Sequence, residues 1–126
     1  MTRLLLIEDH PQNARSFLRM LLKHGYEALD WEQTGISGLE IALRGTYGAI
    51  LIDLDLPDLD GMHVGLALYG HMLKGRIPRV PLVALTARTD TSTRAEAERL
   101  GFSAWIAKPC TETTLIETLR KVMGAH

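Results

Sequence analysis

A single cysteine, Cys110, stands in the 126-residue chain, which excludes an internal disulfide and fits a reducing cytoplasm. An excess of either charge is lacking too. Fourteen Lys and Arg face fifteen Asp and Glu, for a formal net charge of −1, and no basic run disturbs the balance. That excludes a general attraction to nucleic acid. Long apolar runs are also missing. After Met1, Thr2 and Arg3 only four apolar residues precede Glu8, far short of the roughly 20 that a membrane span needs and too few for a secretory signal. No repeat, low-complexity stretch or linker divides the chain. A single domain over residues 1–126 is expected, long enough for a real core, with no output domain, no membrane contact and a cytoplasmic location.

What is present is an alternation of apolar runs and helical patterns from end to end. Strands are predicted over residues 3–7, 26–31, 48–53, 80–86 and 104–107. Helices are predicted over 10–24, 36–44, 62–73, 93–100 and 112–123. In the first helix Phe17, Leu18, Leu21 and Leu22 are expected on one face, with Pro11 in its first turn and Gly25 at its C-cap. Gly65 and Gly70 interrupt the third helix, and the fourth is polar for its length. Residues 48–53 form a continuous apolar run of the kind buried on both faces. Five strand–helix units in series require crossover connections, hence a parallel sheet with helices on both faces, an α/β fold.

Asp53 is the most informative residue. It closes the third apolar strand and opens the loop Leu54-Asp55-Leu56-Pro57-Asp58-Leu59-Asp60-Gly61. A carboxylate at the C-terminal end of a buried parallel strand lies where open α/β sheets bind ligands. It is costly there without a compensating cation or donor. Three other strand ends bring polar residues to bear. Glu8 and Asp9 follow the first strand, Lys108 and Pro109 follow the fifth, and Thr86 closes the fourth. Singly, an acidic pair or a threonine after a strand serves as a helix cap. In a parallel sheet, however, all of these positions fall at one edge. Three acids can hold a hard divalent cation, and a lysine can neutralise an anion bound beside it.

Those residues resemble the receiver domain of two-component response regulators, over essentially the whole chain. The family's acidic pair matches Glu8 and Asp9, its phosphoacceptor Asp53, its hydroxyl residue Thr86, and its lysine–proline Lys108 and Pro109. The segment Pro57-Asp58-Leu59-Asp60-Gly61 resembles the family's loop turn. The resemblance implies a flavodoxin-like fold with strand order 2-1-3-4-5. It also implies that Asp53 accepts a phosphoryl group from a histidine kinase or histidine phosphotransfer protein, as the sole phosphoacceptor. The reaction would be Mg²⁺-dependent, with Mn²⁺ as the alternative ion. Asp9 and Asp53 would hold the metal directly, Glu8 through water, and Asp55 by its backbone carbonyl. Lys108 would pair with Asp53 and then with a phosphoryl oxygen, while the Thr86 hydroxyl and the Ala87 amide donate to the others.

The same resemblance implies a cis Lys108–Pro109 bond. It places Asp55 and Arg88 beside the route to Asp53, where a pair between them could narrow access. Trp105 occupies the switch-aromatic position. Its large ring departs from the family's usual Tyr, Phe or His, so it is expected to stay partly exposed as a contact residue. Signal output to an unidentified downstream protein is expected through the face of the fourth helix, fifth strand and fifth helix. Such a protein catalyses only its own phosphorylation and dephosphorylation. His10 is expected to be a solvated helix-start residue and Cys110 a small buried apolar one. A rival class begins from Asp53-Leu54-Asp55, which resembles the Mg²⁺-dependent haloacid-dehalogenase-like phosphatases. Their motif continues with threonine where this chain has Pro57, and no cap segment is present. A third class, a receiver-like binding module that is never phosphorylated, has no use for the intact acidic set.

Overall fold

The structure, a computed structural model, describes residues 2–124. Five parallel strands form one sheet in the order β2-β1-β3-β4-β5. The strands are β1 (Arg3–Ile7), β2 (Ala28–Glu32), β3 (Ala49–Asp53), β4 (Leu82–Thr86) and β5 (Ala104–Ala107). The helices between and after them are α1 (Pro11–Lys23), α2 (Gly35–Arg44), α3 (Gly61–Leu73), α4 (Thr91–Arg99) and α5 (Glu112–Met123). Alternation along the strands splits the core in two. Leu5, Ile7, Ile50 and Ile52 pack with Val64, Leu68 and Phe102 on the α2–α3–α4 side. Leu4, Leu6, Leu51 and Leu85 pack with Phe17, Leu21 and Leu115 on the α1–α5 side. β3 and β4 are buried along their whole length, as central strands covered on both faces must be. Each fully buried Leu or Ile contributes about 1.5–3 kcal/mol.

Local chemistry sets the element ends. The chain after α1 closes with Gly25 at φ 88° and with the amides of Gly25 and Tyr26 on the carbonyls of Leu22 and Leu21. Tyr26 is therefore consumed by the helix cap, and β2 begins at Ala28 rather than at the predicted residue 26. β4 likewise starts at Leu82, because Pro81 has no N–H to give a ladder. α4 begins at Thr91, two residues earlier than predicted, because Asp90 caps it by accepting from the Thr93 amide at 2.8 Å. α1 buries Ala14, Phe17 and Leu21, whereas Leu22, predicted on the same face, is 54% exposed. The i, i+3, i+7 stripe is narrower than the expected apolar face. α3 runs unbroken through Gly65 and Gly70. A Cβ at Gly65 would lie 2.3 Å from the Phe102 ring, so that glycine lets the ring seat against the helix.

Candidate functional site

Sheet register brings the strand ends together. Ile7 pairs with Ile52, Asp53 with Leu85, and Thr86 with Ala107, so Glu8, Asp53 and Lys108 emerge side by side. Continuing the alternation, all three share the side of Leu6, Leu51 and Ile106, the α1–α5 side. Thr86 shares parity with Ala84 on the opposite side.

Asp53 is 1% exposed and Glu8 is fully buried. One Asp53 oxygen, Oδ1, accepts from the Asp55 amide at 3.0 Å and faces Lys108 Nζ at 3.2 Å. Lys108 also donates to Glu8 Oε1 at 3.1 Å, and the His10 amide donates to Glu8 Oε2 at 3.2 Å. The other Asp53 oxygen, Oδ2, and Asp9 Oδ1 are buried with no partner. Oxygens of Glu8, Asp9 and Asp53 all lie within 4.8 Å of one another. Two orphaned carboxylate oxygens in one acidic cluster are what a hard cation with oxygen coordination would satisfy, so the donor set fits such an ion.

Buried Glu8 and Asp53 and half-buried Lys108 are tuned against one another. Burial pushes the Glu8 carboxyl up to about 7, against the opposing pull of the His10 amide and Lys108. Burial also pushes Asp53 up, but the Asp55 amide, Glu8 and Lys108 outweigh it and hold it below the ordinary aspartate value. Lys108 is pushed down by burial, yet Asp53 and Glu8 keep it above the ordinary lysine value. The result is an ionised Asp53 carboxylate paired with the Lys108 cation.

The loop geometry is equally specific. The Leu54 amide donates to the Leu85 carbonyl at 2.9 Å, and the Lys108 amide to the Thr86 carbonyl at 2.8 Å. Gly61 passes so close to the Asp53 carbonyl that a Cβ there would sit 2.2 Å from that oxygen. The Lys108–Pro109 peptide is cis. Thr86 is buried, its Oγ1 accepting from the Arg88 amide at 2.9 Å. Ala87 is exposed at the mouth. Across that mouth Arg88 and Asp55 form an ion pair at 3.4 Å, both side chains about half exposed. Trp105 is half-buried on the α4–β5–α5 face, with the Arg94 guanidinium 5.3 Å from its ring centre. The His10 side chain is 69% exposed, with Nε2 3.8 Å from Asp9 Oδ2. Cys110 is half-buried, and burial pushes its thiol up.

Two contributors escaped the sequence reading. Asp58 accepts from the amides of Gly35 and Ile36 at 2.8 and 3.0 Å, tying the β3–α3 loop to the start of α2. Trp31, at the end of β2, donates its indole N–H to the Glu8 carbonyl at 2.8 Å. The Asp58 side chain sits in a loop already crowded with acids, so its type carried no distinguishing signal. An aromatic at a strand end on the site's own edge was the available signal for Trp31.

The sequence profile of the response regulator receiver domain matches residues 4–120. A response regulator, ArlR, of Staphylococcus saprophyticus is 31% identical over 123 residues, covering 98% of this chain and 53% of that protein. The transcriptional regulatory protein PcoR of Escherichia coli is 31% identical over 125 residues, 98% of this chain and 52% of its own length. The chain thus spans about half the length of these curated relatives. Among solved structures, the receiver domain of a Pseudomonas aeruginosa sensor histidine kinase, with magnesium coordinated in its active-site cleft, is 33% identical. It superposes with a TM-score of 0.86 over 98% of both chains. The chemotaxis protein CheY4 of Vibrio cholerae, 24% identical, has a TM-score of 0.86 over 97% of this chain and 98% of its own, and shows the shared fold.

Proposed function

The chain belongs to the response regulator receiver domain family of two-component signalling, and on that premise we propose that Asp53 is its sole phosphoacceptor. One observation carries the proposal: a buried Asp53 with one oxygen held by Lys108 and the other unpartnered, beside an unpartnered oxygen of Asp9. The donor is a histidine kinase or histidine phosphotransfer protein. A carboxylate oxygen of Asp53 attacks the phosphorus of the phosphohistidine, forming a P–O bond as the P–N bond breaks and the imidazole leaves. Asp9 and Asp53 would hold a Mg²⁺ directly, with Glu8 acting through water and the Asp55 carbonyl completing the protein ligands. When bound, the ion neutralises charge that builds on the phosphoryl oxygens. Lys108 exchanges its contact with Asp53 for one with a phosphoryl oxygen. The Thr86 hydroxyl and the Ala87 amide donate to the remaining oxygens.

The Asp55–Arg88 ion pair would flank this route and slow the approach of water to the acyl phosphate. As an exposed pair it is worth under about 1 kcal/mol, so it acts as a partial screen. Drawing the Thr86 hydroxyl toward the phosphoryl group breaks its contact with the Arg88 amide and moves the loop that leads into α4. That helix buries only Ala97 and shifts at little cost. Output then runs through the α4–β5–α5 face, with Trp105 as a contact residue for a downstream protein. Residues 1–126 act as one receiver unit in the cytoplasm; no helix among the described residues is long and apolar enough to cross a membrane.

Incubation with acetyl phosphate and Mg²⁺ tests the assignment by intact mass. One added phosphoryl group is expected in the wild type and none in Asp53→Asn. Labelling of the variant to the wild-type extent would place the acceptor elsewhere.

A further inference from the structure

Trp31 lies on edge strand β2, paired in register with Leu6, and its ring packs against the α1–α5 core cluster. Its indole N–H reaches the Glu8 carbonyl at 2.8 Å. The Glu8 amide, on the other side of the same residue, donates to the Glu32 carbonyl at 3.1 Å. Glu8 follows the last residue of β1, so its carbonyl lies just past the strand whose ladder secures its neighbours.

That carbonyl belongs to the planar peptide unit that also contains the nitrogen and Cα of Asp9. Fixing its oxygen fixes the direction in which Asp9 leaves the strand, and with it the buried, unpartnered Oδ1 of Asp9. The Glu8 side chain is pinned independently, by Lys108 at 3.1 Å and the His10 amide at 3.2 Å. By contrast, among the described residues the Asp9 carboxylate has only the exposed His10 imidazole, 3.8 Å from its Oδ2.

We infer that Trp31 is a positioning residue for the metal site: its indole N–H clamps the Glu8–Asp9 peptide plane so that the Asp9 carboxylate is preset for a divalent cation. The inference rests on the proposed role of Asp9 as a metal ligand. It adds a residue from the far edge of the sheet, on a strand that supplies no acid of its own to the cluster. Without the indole N–H, water would satisfy the carbonyl equally well, but the peptide plane would be free to rock. The ion would then have to order Asp9 on binding, and affinity would drop.

The alternative, an aromatic that merely covers core surface, separates cleanly from this one. Trp31→Phe keeps most of the apolar cover and removes only the N–H. Leu29→Ala removes apolar cover from the same face of the same strand, two residues farther from the site. The full chain is titrated with Mg²⁺ alone and followed by the amide NMR shifts of Asp9 and Asp53. The half-saturating concentration is expected to rise about three- to tenfold in Trp31→Phe, the factor matching one hydrogen bond. Leu29→Ala is expected to bind as the wild type does while melting at a lower temperature. Equal affinity in Trp31→Phe and the wild type overturns the clamp, as does an equal weakening in Leu29→Ala. Failure of the wild type to bind Mg²⁺ at all would instead remove the proposed metal site and the clamp with it.

Discussion

At the scale of single residues, the site works by unequal treatment of similar groups. Glu8, Asp9 and Asp53 are three carboxylates within one small volume, yet only Glu8 has both oxygens engaged, by Lys108 and the His10 amide. Asp9 and Asp53 each keep one buried oxygen free. In the proposed metal site those free oxygens are the ones assigned to direct contact with the cation. Asp9→Asn is therefore expected to raise the half-saturating Mg²⁺ concentration about tenfold or more, because a formal charge leaves a site with few protein ligands. Glu8→Gln, which acts through water, is expected to raise it less. Calorimetric titration of the two variants checks the order; a larger loss in Glu8→Gln would reverse the roles.

At the scale of elements, loops and helix ends hold the strand-end residues in place. Thr34 caps α2 by accepting from the Ser37 amide at 3.1 Å. Asp58 takes the two amides before it, those of Gly35 and Ile36, leaving little of the helix start unsatisfied. Burial pushes the Asp58 carboxyl up, but those amides outweigh it and hold it below the ordinary aspartate value. A depressed folded-state value means the stabilisation is fully present above the unfolded value near 4. It is lost as pH falls through the folded value. Asp58→Ala is expected to cost about 1 kcal/mol at pH 7, with the gap to wild type closing in acid below that range. Urea unfolding at several pH values measures it; a gap independent of pH would remove the charge from the explanation. The α3 glycines make a second test. Gly65→Ala would drive a methyl into the Phe102 ring and is expected to cost about 1–3 kcal/mol. Gly70→Ala meets nothing within 4 Å and is expected to stabilise by about 0.5–1 kcal/mol. The same unfolding assay reads both, and equal effects at the two positions would deny the close approach.

At the scale of the whole molecule, the site and the α4–β5–α5 face are joined through Thr86. The Lys108 amide bonds the Thr86 carbonyl, and the Arg88 amide bonds its hydroxyl. A pull on that hydroxyl therefore reaches both the loop before α4 and the end of β5. Beryllofluoride, a phosphoryl mimic, is expected to change amide exchange across residues 87–107 and to shift Trp105 emission, read in a Trp31→Phe background at Mg²⁺ high enough to offset the weaker binding expected of that variant. The shift is expected to be modest, because Trp105 remains partly exposed beneath Arg94. Unchanged exchange and emission with the mimic bound would leave this face without a role in signalling.

Much of this was legible in the residues alone, because some constraints are local. Apolar runs of strand length alternating with helical patterns demand a parallel sheet, and a parallel sheet gathers its strand ends on one edge. Glu8, Asp9, Asp53, Thr86 and Lys108 could thus be placed together before any coordinate was known. The tertiary structure decided what depends on contacts between distant segments. Leu22 is left exposed because α1 buries only the stripe of Ala14, Phe17 and Leu21. The start of β2 follows from a helix cap that consumes Tyr26, and the use of Gly65 inside α3 follows from the Phe102 ring seated on it. Asp58 on α2 and Trp31 on Glu8 join residues 23 positions apart. A hydrogen bond of that kind leaves no periodicity in the chain, because its geometry exists only once the sheet has set the register of β2 against β1.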